Sequence, residues 1–219
     1  MTSDKVILSP TKHVGILVAI EGMDGSGKST LCARIYKELM YRKMRVILTR
    51  EPGDTVLGQK LRAALHHTTE RVSSRAEFLM FAADRAEHFH KVIIPELENG
   101  SVIISDRLSD SSLAYQGYGR GLDIDFIKMV NQWAMCGIEP NLVIFLDVDE
   151  DTALGRIQKT RKKLTSFEQE HVHFWRKVRK GFKEIFKDKD NILILDALKT
   201  PEEICKEAVD KIIETYALR

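Results

Sequence analysis

The stretch Gly22-Met23-Asp24-Gly25-Ser26-Gly27-Lys28-Ser29 fits the pattern G-x-x-x-x-G-K-[ST]. Each residue type has a physical task there. Glycines let backbone N–H groups turn inward and line a concavity the size of an anion. A helix opening behind the loop adds partial positive charge at its N-terminus. Lys28 is placed to reach the β- and γ-phosphates of a nucleoside triphosphate, and the Ser29 hydroxyl to ligate Mg²⁺. The context agrees: the apolar run Val14–Ile20 precedes the loop, and a helical pattern over Thr30–Lys43 follows it. Gly22 through Thr30 is therefore the candidate ATP-binding segment.

A second concentration of chemistry lies further on. The apolar run Val102, Ile103 and Ile104 ends in Asp106-Arg107, then in serines, tyrosines, a glutamine and glycines as far as Gly121. A surface loop needs no such crowd of hydrogen-bonding groups, whereas a site for something small, polar and anionic does. Arg50 likewise follows an apolar run, Val46–Leu48. Open α/β sheets bind ligands outside the carboxyl ends of their strands, where both arginines and Asp106 are expected. Asp106 there suits a water-mediated contact to Mg²⁺. No guanine-reading N-K-x-D sequence follows a strand, and motor-type ATPases usually have longer chains. The combination fits a kinase for a small phosphorylated acceptor.

The elements that must position these residues alternate along the chain. Strand-like runs at Val14–Ile20, Val46–Leu48, Val102–Ser105, Leu142–Leu146 and Ile192–Leu195 are separated by helical patterns. That alternation predicts a parallel sheet with helices on both faces. Helix starts are expected at Ser74, with Glu77 completing a capping box, near Thr165 with Glu168, and at Thr200-Pro201 with Glu203. Phe78, Phe81 and Ala82 share one side of the first. Phe167, His171, Phe174, Val178, Phe182 and Ile185 recur at helical spacing in the second. Pro95 is expected to kink or end the helix before the Val102 strand.

The 219 residues suit one α/β domain, read as 1–219 with a short extension at 1–13. A formal net charge of +2 provides no whole-protein basic field for nucleic acid. No membrane span or signal peptide is read. The scattered Cys32, Cys136 and Cys205 suit a reducing, cytoplasmic compartment. The pairs His66-His67, His88-x-His90 and His171-x-His173 have no companion cysteines, so no histidine metal centre is read.

Three blocks follow the phosphate loop in order: Thr49-Arg50-Glu51-Pro52-Gly53-Asp54-Thr55, then Phe78-Leu79-Met80-Phe81-Ala82-Ala83-Asp84-Arg85-Ala86-Glu87-His88, then Asp106-Arg107 through Ala114-Tyr115-Gln116-Gly117. Together they closely resemble bacterial thymidylate (dTMP) kinases, which are P-loop nucleoside monophosphate kinases. The resemblance runs from about Gly15 to the C-terminus. It implies a three-layer P-loop NTPase fold: a five-stranded parallel sheet flanked by helices, with a small helical lid near 154–168. It also implies ATP- and Mg²⁺-dependent phosphorylation of dTMP to dTDP in dTTP synthesis, by a homodimer.

Residue by residue, Lys28, Arg50 and Arg107 resemble the cations that hold the donor and acceptor phosphates. Ser29 and Asp106 resemble the metal-side oxygens, and Asp24 the contact to the acceptor sugar. Phe81 would stack on the base and Arg85 would hydrogen-bond its carbonyl. Ser112 and Gln116 would read the base edge, and Tyr115 would crowd the sugar 2′ position. From spacing alone Phe81 is by default a core residue, and Arg85 could be a partner for a nearby acid and Tyr115 an ordinary buried ring. Gly25 occupies a position where some members carry a catalytic arginine. Members with glycine there supply it from the lid, which leaves Arg156 or Arg161; such a residue is worth about 10³–10⁵ in rate. The chain departs from the family at Leu108, usually aromatic, and at Thr165-Ser166-Phe167-Glu168, where the lid commonly has Asp-Arg-x-Glu. A kinase for another monophosphate such as dUMP, and a nucleotide-binding module without turnover, remain the competing readings.

Overall fold

A computed structural model describes residues 14–66, 72–160 and 170–218. Among them the order is β1 (Ile16–Gly22), α1 (Lys28–Tyr41), β2 (Val46–Arg50), α2 (Val56–His66), α3 (Ser74–His88) and α4 (Ile94–Glu98). There follow β3 (Val102–Asp106), α5 (Ser109–Ser112), α6 (Ile124–Ala134), β4 (Leu142–Asp147), α7 (Glu150–Thr160), α8 (Val172–Phe186), β5 (Ile192–Asp196) and α9 (Pro201–Ala217). The strands form one sheet in the order β2-β3-β1-β4-β5, every neighbouring pair parallel. Helices flank the sheet as the P-loop NTPase fold requires.

The strands end later than their apolar runs. β1 begins at Ile16 rather than Val14, which is 58% exposed, and it runs on to Gly22. β2, β3, β4 and β5 each extend to a polar residue: Arg50, Asp106, Asp147 and Asp196. Apolarity marks only the part of a strand covered on both faces, whereas the ladder continues to the carboxyl edge. The register then sets Ile20 beside Asp106 and Asp106 beside Arg50. The chemistry-bearing ends of three strands therefore stand level.

Several helix boundaries correct the sequence expectations. α1 opens at Lys28, not Thr30, and closes at Tyr41. Its N-cap is Gly27, with φ +103, which offers no side-chain acceptor to the first-turn N–H groups. α3 is capped by Ser73, whose hydroxyl accepts from Ala76 N at 3.4 Å, so the Ser74–Glu77 box does not form. Glu77 is buried instead and directs its carboxylate to Gln116 and Arg120. Pro95 does not end the helix. A π-helical turn over Phe89–Ile93 takes up the break that a residue without an N–H imposes, and α4 continues.

The Thr165–Glu168 start and Phe167 lie outside the described residues. Glu170 and His171 are not helical, so the periodicity from Phe174 belongs to a helix opening at Val172 with His171 as its cap. The Thr200–Glu203 capping box of α9 is complete.

The core surrounds β1, whose seven residues are all buried. α1 covers it with Leu31, Cys32, Ile35 and Leu39, and α8 contributes Phe174, Trp175, Val178, Phe182 and Phe186. α8 packs most closely on a π-helical segment, Leu113–Gly119, that follows α5. Small residues permit the approach. A Cβ on Gly181 would stand 2.7 Å from Tyr118 Cβ, and one on Gly119 2.6 Å from the Phe174 ring. This contact fixes the face of the segment that carries Tyr115 and Gln116.

The glycines therefore divide by surroundings. Gly181→Ala should destabilise by about 1–3 kcal/mol through overpacking, despite alanine's better helix propensity. Gly155→Ala in α7, with nothing within 4 Å of the added carbon, should instead stabilise by up to about 1 kcal/mol. Urea denaturation of both variants checks the pair.

Candidate active site

Two clefts open at the carboxyl edge of the sheet and meet. One is lined by Gly25, Gly27, Lys28, Ser29, Thr30, Arg50, Asp106 and Arg156. The other is lined by Phe81, Arg85, Leu108, Ser112, Tyr115 and Gln116. Asp24, Glu51, Arg62 and Arg107 line both.

In the first cleft Lys28 is buried, and its Nζ donates to Met23 O at 2.8 Å. Burial and the nearby Arg107 lower its pKa to about 8. Ser29 Oγ donates to Asp106 Oδ2 at 2.7 Å, which joins the helix start to the end of β3. Two hard oxygen groups thus stand side by side beside the phosphate loop, the donor chemistry that Mg²⁺ takes along with phosphate oxygens. The Arg50 side chain is exposed and makes no ion pair or hydrogen bond among the described residues.

Arg107 lies at the junction. It adopts φ +78, which a side-chain-bearing residue rarely occupies. Its N–H donates to Ile20 O at 3.0 Å, and its carbonyl accepts from Ser105 Oγ at 2.7 Å. Nη1 donates to Gly22 O and Ser111 Oγ, and Nη2 to Asp24 Oδ1 and the Tyr115 hydroxyl. Burial opposes the charge, while the carboxylates of Asp24, Asp106 and Glu21 favour it, and the guanidinium's pKa lies above its usual range. It therefore stays cationic. The Tyr115 oxygen also accepts from Asp24 N at 3.1 Å, and its ring stands edge-on to Phe174, Trp175 and Phe182. Burial pushes its phenol pKa up, so it is neutral.

Arg85 is 1% exposed, and each of its nitrogens has a protein acceptor. Nε donates to Glu51 at 2.9 Å, Nη1 to Ser112 Oγ at 3.2 Å and Asn131 Oδ1 at 2.6 Å, and Nη2 to Leu108 O at 3.2 Å. Burial would raise the Glu51 pKa, yet Arg85 and His88 beside it hold it below the usual range. His88 in turn lies 2.6 Å from Thr49 Oγ1, which donates to Asp54. Gln116 Nε2 donates to Glu77 at 2.9 Å, and Arg120 joins Glu77 to Glu170 while lying over the Phe174 ring. Leu108, at the family's aromatic position, is buried against the second cleft.

On the lid side, Gly25 has no room for a side chain. A Cβ there would stand 2.3 Å from Ala153 O of α7. An arginine at 25 and this placement of α7 therefore exclude each other. Arg156, one turn along α7, donates to Ala197 O at 2.9 Å and lines the first cleft. Arg161 lies outside the described residues.

Sequence reasoning missed the buried partners. Glu21, Glu51, Asp84, His88 and Asn131 carry no site role in the sequence reading, and Glu77 is read there only as part of a helix cap. For Glu21 a signal existed: an acid inside an otherwise apolar strand, ILVAIEG. Asp84 is buried with one oxygen on Gly53 N and Oδ2 unpartnered among the described residues, and burial lifts its pKa to about 6.

Arg85→Ala would leave Glu51 buried with its main counter-charge gone. It should destabilise the fold by about 3–5 kcal/mol in urea titrations, far beyond a lost ligand contact. An unchanged midpoint would show that Arg85 is not structural.

The sequence profile described as Thymidylate kinase matches residues 20–208. A protein named Thymidylate kinase from Halothermothrix orenii is 42% identical over 200 residues, spanning 90% of this chain and 96% of its own. Proteins of that name from Leifsonia xyli subsp. xyli and Francisella tularensis subsp. tularensis are each 40% identical. They cover 90% and 87% of this chain, and 94% and 91% of their own lengths. The phosphate loop, the level strand ends and these matches agree: the chain belongs to the thymidylate kinase family.

Proposed function

We propose that the chain transfers the γ-phosphoryl group of ATP to dTMP, giving ADP and dTDP. The observation that carries this reading is Arg107, at the junction of two clefts and lining both. The Gly22–Thr30 loop and Lys28 hold the donor phosphates in the first cleft. Arg50 and Arg107 hold the acceptor phosphate in line and offset the charge around the transferred group. The attacking atom is already a phosphate oxyanion, so no strong general base is needed; positioning and electrostatics supply the catalysis. Ser29 and Asp106 would hold Mg²⁺, which when bound neutralises phosphate charge. Arg156 or Arg161 supplies the lid cation, Gly25 leaving no side chain of its own for that task.

In the second cleft Phe81 stacks on the base, with Ser112 and Gln116 at its edge. A base contact from Arg85 shares the Nη1 that now holds Ser112 and Asn131. Asp24 and Tyr115 face the sugar. The chain, 1–219, acts as one nucleoside monophosphate kinase domain, in the cytoplasm, where free thiols such as those of Cys32, Cys136 and Cys205 persist.

Among the four monophosphates dTMP, dUMP, dCMP and UMP, dTMP should show the highest kcat/KM for diphosphate formation. UMP preferred over dTMP would overturn the roles of Tyr115, Ser112 and Gln116. Binding of ATP and dTMP without dTDP formation would replace a kinase with a binding module.

We also propose a homodimer through α2, α3 and α6. α3 packs on both other helices, and the three expose Val56, Leu57, Leu79, Phe126, Met129 and Trp133. Trp133 is 74% exposed, unusual for so large an apolar ring. Trp133→Glu should shift the sedimentation equilibrium towards monomer; an unchanged dimer would move the interface elsewhere.

A further inference from the structure

Glu21 precedes the phosphate loop, near the end of β1, and is 0% exposed. Among the described residues, the hydrogen bonds to its carboxylate all come from one place, the turn after Arg107. Oε1 accepts from Leu108 N at 2.8 Å and Ser111 N at 3.2 Å, and Oε2 accepts from Ser111 Oγ at 2.5 Å. Ser111 Oγ in turn accepts from Arg107 Nη1 at 2.9 Å. The hydroxyl can pass its proton side to only one partner, so the donor directions run from guanidinium to serine to carboxylate. This relay holds a residue whose backbone is already in the left-handed region.

We propose that Glu21 is a positioning residue for phosphoryl transfer: through Ser111 its carboxylate fixes the Arg107 guanidinium between the two clefts. This rests on the reading of Arg107 as the acceptor-phosphate ligand. The fold itself needs acceptors at this point, and a glutamine carbonyl would serve Leu108 N and Ser111 N equally well. A carboxylate buried this deeply costs stability in its charged form that a neutral amide would not. Its facing charges are the cations Arg107 and Lys28 and the anion Asp110, which is tied to Lys189 at 2.8 Å.

The stability cost has a pH signature. Burial, then Asp110, raises the Glu21 pKa from 4.5 to about 7. Between those values the unfolded chain has lost the proton and the folded chain keeps it, so stability falls as pH rises through that window. Above it the full cost is present. A neutral glutamine removes that cost, whereas its effect on turnover is opposite in sign.

The experiment compares Glu21→Gln, Ser111→Ala, the double variant and Arg107→Ala at about pH 8, by steady-state dTDP formation and thermal melting. Glu21→Gln should melt no lower than the wild type, with kcat reduced about tenfold or more and the KM for ATP within about twofold. Ser111→Ala should lose a similar factor, and the double variant no more than either alone, since one relay is broken only once. Wild-type kcat in Glu21→Gln, multiplying losses in the double variant, or a Glu21→Gln that melts well below wild type would each overturn the proposal. Arg107→Ala separates the two levels. Full turnover there refutes the reading of Arg107, whereas lost turnover beside a normal Glu21→Gln refutes only the positioning role.

Discussion

The structure depends on keeping several cations together at one edge of a sheet. Lys28, Arg50, Arg107 and Arg156 all line a single cleft. Like charges so close repel, more strongly where water is scarce. The fold answers with acids on the same strand ends and loop. Asp106 ends β3, level with Arg50 of β2, and Asp24 accepts from Arg107. Glu21 lies beneath the turn that Arg107 opens. These partners keep the cations charged and oriented, while Arg50 stays exposed to the cleft. Pairings of Arg107 with Asp24 and Tyr115 must loosen or be shared when a phosphate arrives, so the acids also set how readily the site accepts its ligand.

Behind that edge the acceptor cleft has a rigid wall. Arg85 and His88 both bind Glu51 in nearly complete burial and connect α3 to the end of β2. Arg85 also holds the Leu108 carbonyl and Ser112, so the same cation supports the turn after Arg107 and the base side of the cleft. On the other wall, the π-helical Leu113–Gly119 segment lies tight against α8 because Gly119 and Gly181 leave no side chains between them. Tyr115 is clamped among three aromatic rings, and its hydroxyl is left facing Asp24 and Arg107. Packing far from the phosphates therefore determines where the polar groups point.

The sequence made the outline of this arrangement legible. The glycine spacing located the phosphate loop, and apolar runs located the strands, because buried parallel strands have little freedom in composition. Arg50 and Arg107 stood out because each follows such a run. The acids did not stand out in the same way. Glu77 fits an S-x-x-E box as well as it fits a buried ion pair with Arg120, and only tertiary burial decides between them. Glu21 meets residues 108 and 111, and Glu51 meets 85 and 88. No local periodicity encodes contacts between segments so far apart. Strand ends were read short for a related reason: polarity begins at the edge before the hydrogen-bond ladder stops.

The central claim is that Arg107 acts on the group in transit between the clefts and not on the binding of ATP. A rapid-quench single-turnover measurement of phosphoryl transfer from ATP to dTMP, made alongside ATP titration of the same Arg107→Ala protein, tests it most directly. The transfer rate should fall by about 10²-fold or more while the ATP dissociation constant changes by less than about threefold. A transfer rate close to wild type, or a loss of ATP affinity as large as the loss of rate, would contradict the account.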